Sequence, residues 1–392
     1  MKKHILIFSL MYYPRVGGAE VAVKEITDRI PSEEFGFHMI TIGADKNLPS
    51  VERFGNVLIH RIGFFSKTNA TINDFYEYPL KCNKWFFQFF AFLRAWQLHK
   101  KYSYDAIWAL MATGTGIPAT LFKLKFPSVH FILTLQEGDD ALSIKRTMLP
   151  AYPLFMLCFK KADTLQVISR YLADFGMDMG FRGEPRVIPN GVDIDLFKKD
   201  TSSSDITALQ NEYGIKEDEL CLIHIGRFVQ KNGIEDIIKS LSFLSPQTKL
   251  LLVGEGPLEN RLQYLVKERG VKDRVIFVGF KPYAELYKYL ALADVFIRPS
   301  LSEGFGNVFI EAMTAKVPVI GTSVGGIKDF LKDGVTGWEC GVHDPESIAK
   351  KVHYIVNKNN ENIVKDVLSK AFQMANERYQ WGHIAKDMKQ LF

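Results

Sequence analysis

Short unbroken apolar runs alternate with longer stretches of helical spacing along almost the whole chain. Runs at 4–8, 38–42, 57–62, 106–110, 129–135, 164–168 and 186–188 read as strands in the first half. Those at 220–224, 248–253, 275–277, 295–298 and 317–321 do so in the second. Helical periodicity occupies 19–30, 84–101, 234–244, 258–269, 284–292 and 346–356. The strand runs lack the in–out alternation of a half-solvated sheet, so both of their faces must be covered. Buried strands separated by helices predict parallel sheets in an α/β fold. Each half reads as its own doubly wound unit, in which ligands bind beyond the carboxyl ends of the strands. The polar run 201–205 breaks the pattern and puts the boundary near Asp200. A last helix over 377–392 carries Tyr379, Trp381, Ile384, Met388 and Leu391 at helical spacing and is expected to pack back on the first unit.

The length of 392 residues fits two domains, with expected spans 1–198 and 199–376 before that helix, and 47% apolar residues can fill two cores. Lys and Arg number 49 against 44 Asp and Glu, a formal +5. So mild an excess suits an anionic substrate or a membrane surface and does not point to nucleic acid. Cys82, Cys158, Cys221 and Cys340 are far apart with no C-x-x-C pair, so neither a zinc site nor a disulfide framework is indicated, and a reducing cytosol fits. Lys2-Lys3 before Ile5-Leu6-Ile7-Phe8 imitates a signal peptide, but the apolar run is short and Tyr12-Tyr13-Pro14 interrupts it, so a buried first strand is expected. The apolar stretch from Trp85 to Leu98 is broken by Gln88, Arg94 and Gln97 and is too short to span a bilayer. A core helix is the expectation, and a tilted interfacial helix with Trp85, Phe86, Phe89 and Trp96 in the headgroups is the alternative.

The candidate chemistry centres on Glu303-Gly304-Phe305-Gly306-Asn307-Val308-Phe309-Ile310-Glu311, an E-x₇-E pattern leading into the apolar run at 317–321. A helix opening near Gly306-Asn307 would aim backbone N–H groups at an anion, with one carboxylate beside it and the other about two turns along. Carboxylates accept hydrogen bonds from sugar hydroxyls, so the pattern suits a nucleotide-sugar. Arg227 and Lys231 follow the first strand of the second half, where a guanidinium fork and a point-charge ammonium would suit a diphosphate. Gly17-Gly18-Ala19-Glu20 follows the first strand of the chain, and its glycines would let the backbone approach a ligand. Gly325-Gly326 could admit a phosphate or base, whereas 252–257 reads as plain turn chemistry.

Taken in order, Gly17-Gly18-Ala19-Glu20, Ile168-Ser169-Arg170, Ile188 to Asp193, Gly226-Arg227, Lys231-Asn232-Gly233, Val253 to Pro257, Glu303 to Met313 and Gly325-Gly326 resemble glycosyltransferase family 4 over nearly the whole chain. The family comprises retaining enzymes of the GT-B fold, two Rossmann-like domains facing a central cleft. The resemblance implies that Glu303 contacts hydroxyls of the transferred sugar and that Glu311 holds the ribose. It implies that Arg227 and Lys231 bind the diphosphate, helped by the backbone of Gly306, Asn307, Val308, Gly17 and Gly18, and that the base lies near Phe280. Two departures stand out. Where many members have a histidine, this chain reads Gln136-Glu137-Gly138-Asp139, so Gln136, Glu137 or Asp139 is a candidate for that positioning role. The usual glutamate after the late Gly pair is also displaced, with Asp329 nearby.

The expected activity is transfer of a sugar from a UDP- or GDP-sugar to a hydroxyl of a glycan or lipid-linked acceptor, with retention, in cell-surface polysaccharide synthesis. The expected catalytic set is Glu303, Arg227, Lys231 and Asp139. Neither cofactor nor metal is expected, since the one D-x-D match, Asp193-Ile194-Asp195, lies in a turn where a cap or hinge role fits. Tyr76, Trp85, Lys145 and Arg146 lie in the half that the resemblance gives to the acceptor, and the expected location is cytosolic, at the inner face of the membrane. A sugar-nucleotide epimerase of the same plan and a catalytically silent partner subunit are the alternatives.

Overall fold

A computed structural model describes residues 2–14, 17–70 and 73–392, apart from the side chains of Asn73 and Tyr76. The chain divides into two compact units. One holds the chain up to Asn190 together with Trp381–Phe392, and the other holds Gly191–Gln380.

The first unit is built on β1 (Lys3–Phe8), β2 (Phe35–Ile42), β3 (Val51–Phe54), β4 (Val57–Ile62), β5 (Ala106–Leu110), β6 (His130–Leu135), β7 (Thr164–Val167) and β8 (Arg186–Val187), in the order β3-β4-β2-β1-β5-β6-β7-β8. Every pairing is parallel except that of β3 with β4. The second unit has β9 (Leu220–Ile225), β10 (Thr248–Val253), β11 (Val275–Gly279), β12 (Val295–Arg298), β13 (Val319–Thr322) and β14 (Trp338–Cys340), all parallel, in the order β11-β10-β9-β12-β13-β14. Both units are doubly wound, as the alternation of apolar runs and helices predicts.

Two strands escape the sequence pattern. β3 is a solvent-facing edge strand, turned back on β4 by Gly55-Asn56. Gly55 has φ +55°, and a Cβ there would sit 2.2 Å from Asp28 Oδ1. β14 is three residues long at the opposite edge of its sheet. The helix Ala112–Lys125 also escapes, because small residues replace the usual apolar stripe. Gly114 and Gly116 let it close on Leu10 and Cys158, where a Cβ would come within 2.8 and 2.9 Å of their side chains.

Three expectations are corrected. The polar run 201–205 is not a break: the Ser202 hydroxyl accepts from Asp205 N–H at 3.1 Å and caps the helix Ser203–Tyr213. The terminal segment is not one helix. Glu361–Arg378 ends, and Trp381–Lys389 starts afresh, because Val192 N–H donates to the Tyr379 carbonyl at 2.7 Å and Val192 bridges to Gln380. That pairing lies within the second unit, Gly191–Gln380, and Trp381–Lys389 belongs to the first, so the chain crosses at 190/191 and 380/381. Beyond the second crossing, Trp381, Ile384, Met388 and Phe392 join the core around Ile5, Ile7 and Trp108.

The third correction concerns the helix Asn83–Tyr102, which is a core helix on one face only. Phe87, Ala91, Ala95 and Leu98 are buried, while Trp85, Phe86, Phe89 and Phe90 face solvent. The segment is too aromatic for its burial face alone to absorb its side chains. Among the described residues no helix is long and apolar enough to cross a membrane.

Candidate active site

In the second unit the chain runs outward from β9 through β10 to β11, then returns to place β12 against the other side of β9, with Val295 opposite Leu222 and Phe296 opposite Ile223. The connections after β9 and β12 therefore leave in opposite directions and open a crevice at the carboxyl ends of these two strands. This is the topological switch point at which doubly wound sheets bind ligands. Gly226, Arg227 and Lys231 follow β9, and Arg298 ends β12 ahead of Ser300 and Glu303. The two loops are tied together, since Leu301 N–H donates to the Lys231 carbonyl at 2.7 Å. Gly233, at φ +68°, lies so close that a Cβ would be 2.1 Å from the Pro299 carbonyl oxygen.

Arg298 organises the charges. Its Nη2 donates to Glu303 Oε2 at 2.6 Å and to Asn232 Oδ1 at 2.9 Å, and its Nε donates to Ser300 Oγ at 3.3 Å. Asn232 Nδ2 in turn donates to the Arg227 carbonyl at 2.6 Å. Glu303, only 8% exposed, also accepts from Gly304 N–H at 3.1 Å. Burial of a carboxylate is tolerable here because it is paired and hydrogen-bonded. Arg227 is exposed and Lys231 half-buried at the rim of the same crevice. The Gly325-Gly326 pair serves the protein itself. Gly326 N–H donates to the Glu303 carbonyl at 2.9 Å, and Gly325, at φ +50°, sits where a Cβ would be 2.0 Å from that oxygen. Asp329 closes the turn Gly325–Asp329.

Glu311 lies in the helix Asn307–Thr314, which Gly306 caps at φ +93° and which packs Phe309 against Phe296 and Phe330. The amides of Asn307 and Val308 thus fall in the first turn, where a helix offers donors to an anion. Burial pushes the Glu311 carboxyl up to about 8, against the opposing pull of Arg298. His224 is fully buried on β9; its Nδ1–H donates to the Ile297 carbonyl at 3.1 Å, a contact that assigns the proton to Nδ1. Burial and the neighbouring Arg298 push the imidazole down to about 3, so it stays neutral.

The Glu311 shift carries a stability prediction. A carboxyl whose folded pKa is raised stabilises the protonated form, so its penalty is absent below the unfolded value near 4.5 and grows as pH rises toward about 8. Glu311→Gln removes that penalty. Its melting temperature relative to the parent is expected to rise by a few degrees between pH 5 and pH 8, as thermal unfolding at both pH values would record.

Phe280, 68% exposed, follows β11 two strands from β9. In the first unit Gly17 precedes the helix Gly18–Asp28, and its N–H already donates to Glu20 Oε2 at 2.7 Å. Glu20 is therefore a capping residue. After β6, Gln136 and Asn190 pair through their amides, with Nε2 to Oδ1 at 3.2 Å. Glu137 is buried and accepts from Gln136 N–H at 3.0 Å and Thr113 N–H at 3.3 Å, and burial pushes it up to about 7. Asp139 is exposed, and the next residue, Asp140, caps the helix Ala141–Met148. Of the D-x-D match, Asp193 caps the helix Ile194–Phe197 and Asp195 pairs with Lys198 at 2.6 Å.

Glu303, Arg227 and Lys231 thus gather in one unit with Gly306, Asn307, Val308 and Glu311, while Gly17, Gly18 and Asp139 belong to the other. The sequence reading gives no role to Arg298 or His224, and names Asn232 only within the run Lys231-Asn232-Gly233. A signal for Arg298 existed: it is a charged residue closing an apolar strand run, the position from which side chains reach a switch-point crevice.

Two family models match the chain, "Glycosyltransferase Family 4" over residues 16–196 and "Glycosyl transferases group 1" over residues 205–371. A glycosyltransferase of Methanocaldococcus jannaschii is 30% identical over 96% of this chain and 94% of its own. The N-acetyl-alpha-D-glucosaminyl L-malate synthase of Bacillus anthracis is 27% identical over 97% of this chain and 94% of its own. Among solved structures, Anabaena HepE in complex with UDP-glucose superposes with a TM-score of 0.76 at 20% identity, covering 99% of this chain and 98% of that one.

Proposed function

Since the chain belongs to glycosyltransferase family 4 and has its GT-B fold, we propose that it moves a hexose from a nucleotide-diphosphate-sugar to a hydroxyl of a glycan or lipid-linked acceptor, with retention of anomeric configuration. The observation that carries this reading is the Arg298–Glu303 pair at the switch point between β9 and β12, tied by hydrogen bonds to the loop that carries Arg227 and Lys231, in the chain just ahead of the helix Asn307–Thr314. The UDP-glucose bound by Anabaena HepE supports a nucleotide-sugar as donor.

In this mechanism Arg227, Lys231 and the first-turn amides hold the diphosphate. Glu303, oriented by Arg298, accepts hydrogen bonds from hydroxyls of the transferred sugar, and Glu311 takes the ribose. The bond from the anomeric carbon to the β-phosphate oxygen breaks through an oxocarbenium-like transition state. The acceptor oxygen bonds to that carbon on the same face, its proton passes to the departing phosphate oxygen, and the nucleoside diphosphate leaves. Charge grows on that diphosphate as the bond breaks, so fixed cations stabilise the transition state more than the ground state. No covalent nucleophile is needed. Arg227 and Lys231 supply the positive charge that a metal supplies elsewhere, so the reaction is metal-independent. The positioning role of the family's histidine is assigned to the first unit, with Gln136, the buried Glu137 and the exposed Asp139 as its candidates.

Two measurements test this. A thermal-shift panel of UDP, GDP and their sugars is expected to raise the melting temperature with one base and not the other, because a ligand held only by the folded state stabilises it. A turnover assay with that donor is expected to proceed unchanged in chelator, and complete loss of activity would refute metal independence. A free isomerised sugar-nucleotide as the product would replace the transferase by the epimerase.

A further inference from the structure

The outward face of the helix Asn83–Tyr102 carries Trp85, Phe86, Phe89 and Phe90, with Trp85 65% exposed and Phe89 54%. At helical spacing these fall within one arc of the surface. Phe64, itself exposed, extends the arc sideways, with its ring 4.9 Å from Phe86 and 4.7 Å from Phe90. Its position is held from beneath, where Asn83 Oδ1 accepts from Phe64 N–H at 3.0 Å and Phe65 N–H at 3.1 Å. Five adjoining aromatic rings in water are costly and call for a partner.

The charge around them narrows the partner. Between Glu77 and Asp105 the chain has no acidic residue and five basic ones, Lys81, Lys84, Arg94, Lys100 and Lys101. Trp96, nearly two turns beyond Phe90, has Lys100 over its ring at 5.1 Å, and Lys81 lies over Tyr78 at 5.7 Å. Projecting aromatic rings, with ammonium groups on Tyr78 before them in the chain and on Trp96 after them, match the layering of a lipid interface. Rings enter the acyl boundary, and lysines reach back to the headgroup phosphates.

We propose that this face docks the protein on an anionic lipid bilayer, with Phe64, Trp85, Phe86 and Phe89 inserted at the headgroup level and Lys81, Lys100 and Lys101 on the lipid phosphates. The surface lies wholly within the first unit and does not depend on the donor chemistry, so its test and that of the transferase reading fail separately.

The test is cosedimentation of the full chain with vesicles of phosphatidylcholine alone or mixed with phosphatidylglycerol. Binding is expected only to the mixed vesicles, with a blue shift of tryptophan fluorescence that Trp85→Phe removes without loss of binding. The pair Phe86→Ser and Phe89→Ser is expected to weaken binding about tenfold or more through lost apolar contact. The pair Lys100→Glu and Lys101→Glu leaves the aromatic face intact and is expected to abolish the preference for the anionic lipid. Absence of binding to mixed vesicles overturns the proposal, as does binding unchanged in both pairs. A lipid-free dimer that the serine pair dissociates overturns it too, by assigning the face to a second copy of the chain.

Discussion

Replacing Glu303 by alanine is expected to lower kcat by about 10²- to 10³-fold, the cost of losing one preorganised polar contact to the reacting group. Two effects add. The sugar loses an acceptor for its hydroxyls, and Arg298 loses the carboxylate that its Nη2 meets at 2.6 Å. Because Asn232 and Ser300 still accept from Arg298, the guanidinium keeps partial satisfaction and the chain still folds, with a lowered melting temperature. Glu303→Gln preserves the shape and loses the charge, so it is expected to retain the fold at higher stability and to remain slow. Glu33→Ala, at an exposed position, is the control and is expected to turn over at the parent rate. Steady-state rates with the donor selected by thermal shift decide the matter, and parent-like turnover in Glu303→Ala would remove the site assignment.

Arg298→Met is expected to reduce kcat/KM by about 10²-fold, comparable to truncating a charge-assisted contact in a dry site. The methionine fills much of the volume but frees Glu303 and Asn232 from the geometry that Arg298 imposes. The variant also has a signature that simple destabilisation lacks. Arg298 opposes the upward push of burial on Glu311, whose carboxyl titrates at about 8. Without the cation, Glu311 ionises at a still higher pH. If the ionised form holds the ribose, the acid limb of the kcat/KM profile moves to higher pH. Arg298→Lys is expected to restore that limb more fully than the rate, since an ammonium returns the charge but not the planar fork that reaches Glu303 and Asn232 together. An unmoved pH profile in Arg298→Met would show that the residue acts only on folding.

The legible and illegible parts of the site differ in kind. Glu303, Glu311, Arg227 and Lys231 lie in short segments whose glycines and spacing announce a loop opening a helix. His224 sits inside an apolar strand run, where a polar residue looks like an irregularity until its neighbours are known, and Arg298 only closes such a run, with its partners Asn232 and Glu303 still to be found. Gly325-Gly326 was open to a ligand role by spacing alone, and its contact with the Glu303 backbone appears only when β13 is laid beside β12. The same holds for the helix Asn83–Tyr102. Its composition forces burial of one face, but which rings stay in water depends on what the sheet leaves uncovered.

By itself the sequence determined two doubly wound α/β units, the positions of most strands, and the family whose ordered motifs the chain carries. These follow from local pattern, because strand burial and loop chemistry are written within a few residues of each other. The tertiary structure alone decided that β12 returns to lie against β9, and with that the meeting of Arg298, Asn232 and Glu303 and the burial that raises Glu311. Strand order joins residues some 70 positions apart in the chain. Only the packing of the whole unit, which buries both faces of every central strand, selects one order among those that the apolar runs allow.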